Sequence, residues 1–75
     1  MKLKPDFSGG YSNRASLYIK KGMLDLALSD CNKTIEINPG IARGYSNRAV
    51  VYNLKKAYDK SREDAIKAQN LESRL

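Results

Sequence analysis

One hexapeptide constrains this chain of 75 residues more than anything else in it. Gly10-Tyr11-Ser12-Asn13-Arg14-Ala15 recurs unchanged as Gly44-Tyr45-Ser46-Asn47-Arg48-Ala49, so that position 10 maps to 44 at a spacing of 34. The same spacing links Pro5 to Pro39, Tyr18 to Tyr52, Lys21 to Lys55, Asp25 to Asp59, Asp30 to Asp64 and Lys33 to Lys67. Self-similarity at a period of this length marks an array, in which one supersecondary unit is stacked on the next to bury a face it cannot bury alone.

Each unit reads as a helical hairpin. Tyr11, Ala15, Tyr18 and Ile19 form one apolar stripe, and Leu24, Ala27, Leu28, Cys31 and Ile35 form a second. The tyrosines at 11, 18, 45 and 52 carry the stripe and are expected in the core. Lys20-Lys21-Gly22 interrupts the pattern, with Gly22 suited to a left-handed helix end. Ile37-Asn38-Pro39-Gly40 closes the unit, since Pro39 cannot continue a helix. Asp25 and Asp59 stand at the heads of the second helices, where a carboxylate can cap free amides. The coarse expectation is helices over 9–21, 25–37, 42–55 and 59–72.

These residues resemble the tetratricopeptide repeat. The family's leading aromatic falls on Tyr11 and Tyr45, its small residue on Ala15 and Ala49, and its second aromatic on Tyr18 and Tyr52. Its turn glycine falls on Gly22, its second-helix alanine on Ala27, its late alanine on Ala68 and its closing proline on Pro39. The resemblance implies an all-α fold: two tandem helix–turn–helix repeats of 34 residues forming a short α-solenoid of four antiparallel helices. Repeat 1 would span 8–41 and repeat 2 would span 42–75. Residues 1–7 align with the end of a unit and would be the tail of a preceding repeat. The second unit departs from the pattern: Lys56 replaces the glycine, Ser61 the alanine and Ser73 the proline, with Arg62 and Gln69 at apolar sites. A terminal helix with one face in water and plain divergence both account for that.

Composition removes several function classes. Fourteen Lys and Arg stand against eight Asp and Glu, a net charge of +6 that favours acidic partners. There is no histidine and one cysteine, Cys31, which excludes a disulfide framework and leaves no cysteine metal site. The carboxylates have no clustered ligand spacing and the glycines no phosphate-cradling pattern, so neither an enzyme nor a cofactor is expected. No stretch reaches the roughly 20 apolar residues of a membrane span. Met1-Lys2-Leu3-Lys4-Pro5 has no apolar run behind it, which is unlike a signal peptide and fits a cytoplasmic chain. Cys31 lies on an apolar stripe and is expected to act as a small buried hydrophobe.

The candidate site is a groove lined by the first helix of each unit. Ser12, Asn13, Ser16 and Lys20 would face it from the first unit, and Arg43, Ser46, Asn47 and Asn53 from the second. In some superhelical relatives the asparagine matching Asn13 and Asn47 forms a ladder that holds ligand backbone, a task an amide suits because it donates and accepts together. In relatives that clamp acidic chaperone tails, a groove asparagine like Asn13 works with a basic residue matching Arg43. A second basic residue expected in that clamp is Asn47 here. Arg14 and Arg48 recur with Asp30 and Asp64, and each arginine is expected to pair with the aspartate on a facing helix.

The leading reading is a protein-interaction module that binds a peptide segment, acidic by preference, in this groove. An alternative is a self-association or scaffolding unit, a homodimer through the open N-terminal face included. A basic helical repeat that binds nucleic acid is the weaker third class, because positive residues are interleaved with acids and no aromatic platform is evident.

Overall fold

A computed structural model describes residues 7–73. It consists of α1 (Ser8–Lys20), α2 (Leu24–Ile37), α3 (Ala42–Leu54) and α4 (Tyr58–Glu72), four helices joined by short turns as the apolar stripes require. The reading of residues 1–7 as the tail of an earlier unit falls, apart from Phe7, outside the described residues. Among those residues no helix is long and apolar enough to cross a membrane.

The two hairpin turns are built alike from unlike residues. After α1 the chain turns through Gly22 at φ 75°, with Gly22 N–H donating to Ile19 O (3.0 Å) and Met23 N–H to Tyr18 O (2.9 Å). That pair of bonds satisfies carbonyls a helix end leaves open. After α3 the same pair forms from Lys56 to Asn53 O (3.0 Å) and from Ala57 to Tyr52 O (2.8 Å). Lys56 therefore adopts φ 66°, a left-handed conformation that a side chain makes costly. Between the hairpins Asn38 Oδ1 accepts from Gly40 N–H at 3.1 Å, a side-chain-closed turn around Pro39.

Asp25 does something other than cap. Met23 stands at the N-cap of α2 and makes no side-chain cap bond. The Asp25 carboxylate instead accepts from Lys55 Nζ at 2.6 Å, from the far end of α3. That hydrogen bond, with the charge behind it, holds the Asp25 carboxyl below its ordinary range. An exposed carboxylate within reach of an ammonium gains more there than from amides that water already serves.

α1 packs on α2, α3 seats against both, and α4 rests on α3 alone. The body is a slab of 38 × 31 × 16 Å, too thin for a layer behind the helices, so each helix keeps a face in water. The core is correspondingly small: Ala15, Ala27, Cys31 and Val51 are fully buried, with Tyr18, Ile19, Leu24 and Leu28 around them. Ser61, at the place Ala27 holds in the first hairpin, donates its hydroxyl to Ala49 O at 2.8 Å, so a polar residue fits that site with its bond made. Burial pushes the Cys31 thiol up to about 11. It is the inert hydrophobe its position on the stripe implies.

The tyrosines differ from expectation. Tyr11, Tyr18, Tyr45 and Tyr52 are half-buried, outside the closed core. Their rings flank the arginines instead: Arg14 lies 5.8 and 5.6 Å from the centroids of Tyr11 and Tyr18, and Arg48 lies 5.7 and 5.8 Å from Tyr45 and Tyr52. Tyr18 also packs against the edge of the core. A half-buried ring serves as a wall for a cation.

Candidate peptide-binding face

α1 and α3 touch, whereas α2 and α4 make no contact. An array whose first helices meet while its second helices splay is closed on the first-helix side. That side is the inner face.

Two ion pairs set the geometry behind it. Arg14 Nε and Nη2 grip Asp30 at 2.7 and 2.9 Å, and Arg48 Nε and Nη2 grip Asp64 at 2.7 and 3.0 Å. Each joins the two helices of its own hairpin, as the spacing of 16 residues between partners anticipates. The hydrogen bond to each aspartate, with its charge, raises the arginine's pKa above an already high value, so both stay cationic at any accessible pH. Forked, planar pairing fixes the rotation of α1 against α2 and of α3 against α4.

Of the eight candidate residues, the structure joins two directly on the exposed surface. Arg43 Nη1 donates to Asn13 Oδ1 at 2.8 Å, from the first turn of α3 to the middle of α1. The bond occupies the asparagine's acceptor and leaves its amide N–H groups and the rest of the guanidinium as donors. Ser46, on the same helix as Arg43, is exposed and turns its hydroxyl back to Arg43 O (3.2 Å). Lys20 and Asn53 are exposed at the far ends of α1 and α3.

Three other candidates are engaged within the protein. Ser12 is 2% exposed and donates to Gly9 O at 3.0 Å. Ser16 is half-buried and donates to Ser12 O at 3.3 Å. Asn47 Nδ2 donates to Ser12 O (3.0 Å) and to Ser16 Oγ (3.3 Å), tying α3 to α1. Asn13 and Asn47, identical in sequence context, thus spend their amides in opposite ways. The sequence reading missed the apolar residues on and beside this face: Leu17, Val50 and Leu54 are all exposed. Their signal was available, since each sits off the main stripe where a soluble helix would carry a polar residue.

Against known families, residues 9–41 match the model described as tetratricopeptide repeat. Among curated proteins no match was found. The matched stretch covers α1, α2 and the turn into α3, and the second hairpin repeats its hexapeptide, its arginine–aspartate pair and its turn.

Proposed function

The chain belongs to the tetratricopeptide repeat family, whose repeats mediate protein–protein contacts, and from that premise we propose that its inner face binds an acidic peptide segment. The observation that carries this reading is the Arg43–Asn13 pair. It places a guanidinium and a carboxamide side by side on an exposed surface, with the carboxamide oxygen already accepting from the guanidinium. A carboxylate satisfies such a site bidentately, and a neutral carbonyl satisfies it less well. Lys20 and Asn53 extend the donor surface along the helices. With two units the contact is short, so the affinity is weak, and multivalent presentation would strengthen it.

The charge ledger favours peptide over nucleic acid. Arg14, Arg48, Lys55 and Lys33 are paired with Asp30, Asp64, Asp25 and Glu36. Each such pair takes up a cation that would otherwise serve a phosphate backbone. Binding would be measured by fluorescence anisotropy with a labelled octapeptide rich in Asp and Glu that ends in a free carboxylate. Arg43→Ala is expected to weaken binding roughly tenfold, and a lysine-rich peptide of equal length is expected not to bind. Unchanged binding by an Asn13→Ala/Arg43→Ala double variant would end this reading.

A further inference from the structure

We propose that copies of this chain join head to tail, α1 of one copy seating in the groove between α3 and α4 of the next. The template is the seam inside the molecule. There α3 presents three residues on one face: Gly44, Asn47 and Val51. A Cβ on Gly44 would stand 3.0–3.1 Å from Ile35 and Thr34, so the helices touch at that point. Asn47 bonds the Ser12 carbonyl, and Val51 is 0% exposed among Ala15, Ala27 and Cys31.

Knob and seat both recur at the ends of the molecule. On α1 the equivalent knobs are Gly10, Asn13 and Leu17, and Leu17 is 56% exposed where Val51 is closed in. At the other end Ser46, Ala49, Val50, Ala65, Ala68 and Gln69 line an open cavity of about 470 Å³. These are the positions that Ser12, Ala15, Ser16, Cys31, Thr34 and Ile35 hold around α3. The differences fit one another. Leu17 is one methylene larger than Val51, and Ala65 and Ala68 are smaller than Cys31 and Thr34. The larger knob therefore meets the larger hole.

Phe7 agrees with this. Its ring lies over Gly10, 2.5–3.0 Å from where a Cβ would be, in space that Thr34 and Ile35 fill beside Gly44. Ala68 in place of Thr34 leaves room for that ring, which is exposed in the single chain. Charge and hydrogen bonding repeat as well. Lys55 bonds Asp25 across the internal seam, and the same step places Lys21 of one copy beside Asp59 of the next. Arg43 holds Asn13 by its oxygen alone, so the Asn13 amide can reach the Ser46 carbonyl as Asn47 reaches that of Ser12. Two internal bonds are not reproduced: Val50 replaces the hydroxyl of Ser16, and Ile66 replaces Asn32, which accepts from Arg48 at 2.9 Å. The joint between copies is thus more apolar at these two positions and more polar at Gln69, which stands where the internal seam has Ile35. Since knob and seat are different surfaces, the contact is heterologous and does not close on a dimer.

Sedimentation velocity without any peptide tests this apart from the peptide reading. The wild-type mass is expected to rise with concentration past that of a dimer. Leu17→Lys and Ala65→Lys, both at exposed positions, are each expected to remain monomeric with the parent's helical circular dichroism. An equimolar mixture of the two keeps one good knob and one good seat, so it is expected to form dimers and nothing longer. Lys21→Glu and Asp59→Lys are each expected to weaken assembly about tenfold, and together in one chain to restore it. A wild type that stays monomeric to millimolar concentration overturns the proposal. So does a mixture that stays monomeric, or assembly lost with Leu17→Lys and kept with Ala65→Lys, the mark of a symmetric α1–α1 contact.

Discussion

The hexapeptide Gly-Tyr-Ser-Asn-Arg-Ala occurs at 10–15 and at 44–49, and its two copies live in different surroundings. Ser12 is buried while Ser46 is exposed, because α3 covers the first and nothing described covers the second. The Arg14 side chain is 55% exposed. That of Arg48 is 23% exposed and takes an additional bond to Asn32. Asn13 faces outward to Arg43, and Asn47 faces inward to Ser12. Identical residues on two repeated helices differ here in which side a neighbour lies. In an array of stacked units, position decides whether a side chain is structure or surface.

The largest effect expected from that contrast is at the central knob. Val51→Ala should cost about 2–3 kcal/mol in urea unfolding, because it empties a closed site between the hairpins. Leu17→Ala, the same kind of truncation at the equivalent place, should fall within about 0.5 kcal/mol when measured below the concentration of self-association. Equal costs would show that the two ends of the array are not distinguished by coverage.

The thiol sharpens the comparison next. Its pKa is raised from 9.0 to about 11 by burial, so the native protein favours the neutral form. Stability from this source is intact below pH 9 and is lost as pH climbs through about 11, by about 3 kcal/mol at most. In a Cys31→Ala background, Ala65→Cys places a thiol at the uncovered equivalent. At pH 8 it should react with a disulfide reagent about a hundredfold faster than Cys31 does in the native chain.

The ion pairs come third. A double-mutant cycle on Arg48 and Asp64 should return about 1 kcal/mol, and one on Arg14 and Asp30 should return less, because water screens the more exposed arginine. The reverse order would mean that tyrosine flanking outweighs coverage. The smallest effect concerns the turns. Lys56→Gly should stabilise by about 0.5–1 kcal/mol, since it removes a side chain from a left-handed conformation, whereas Gly22→Lys should destabilise by a similar amount.

The four helices were legible because periodicity and repetition agree. The stripes through Ala15 and Cys31 set their faces, and Gly22 and Pro39 set their ends. The arginine–aspartate pairs were legible too, since both members recur at 34. What did not show was anything that depends on an individual neighbour. A repeat makes Asn13 and Asn47 look alike, so it cannot say that one amide is spent on a carbonyl of α1. Asp25 had a local use at the helix head, and a lysine 30 residues away took it instead. The tyrosines read as core by their place on the stripe, yet they are half-buried with their rings beside the arginines, because a cation on the same helix, held by the neighbouring helix's aspartate, offers the ring face a partner.

The joint made by Asn47 is addressed to a main-chain oxygen. A carbonyl is present at every residue of every helix, so this link survives a substitution at Ser12 that keeps the helix and fits the closed site. Only the longer bond, to the Ser16 hydroxyl, depends on which side chain the asparagine meets. A unit carrying that asparagine can follow any helix of this shape, which makes the joint a general connector and leaves the facing side chains free to drift toward other tasks.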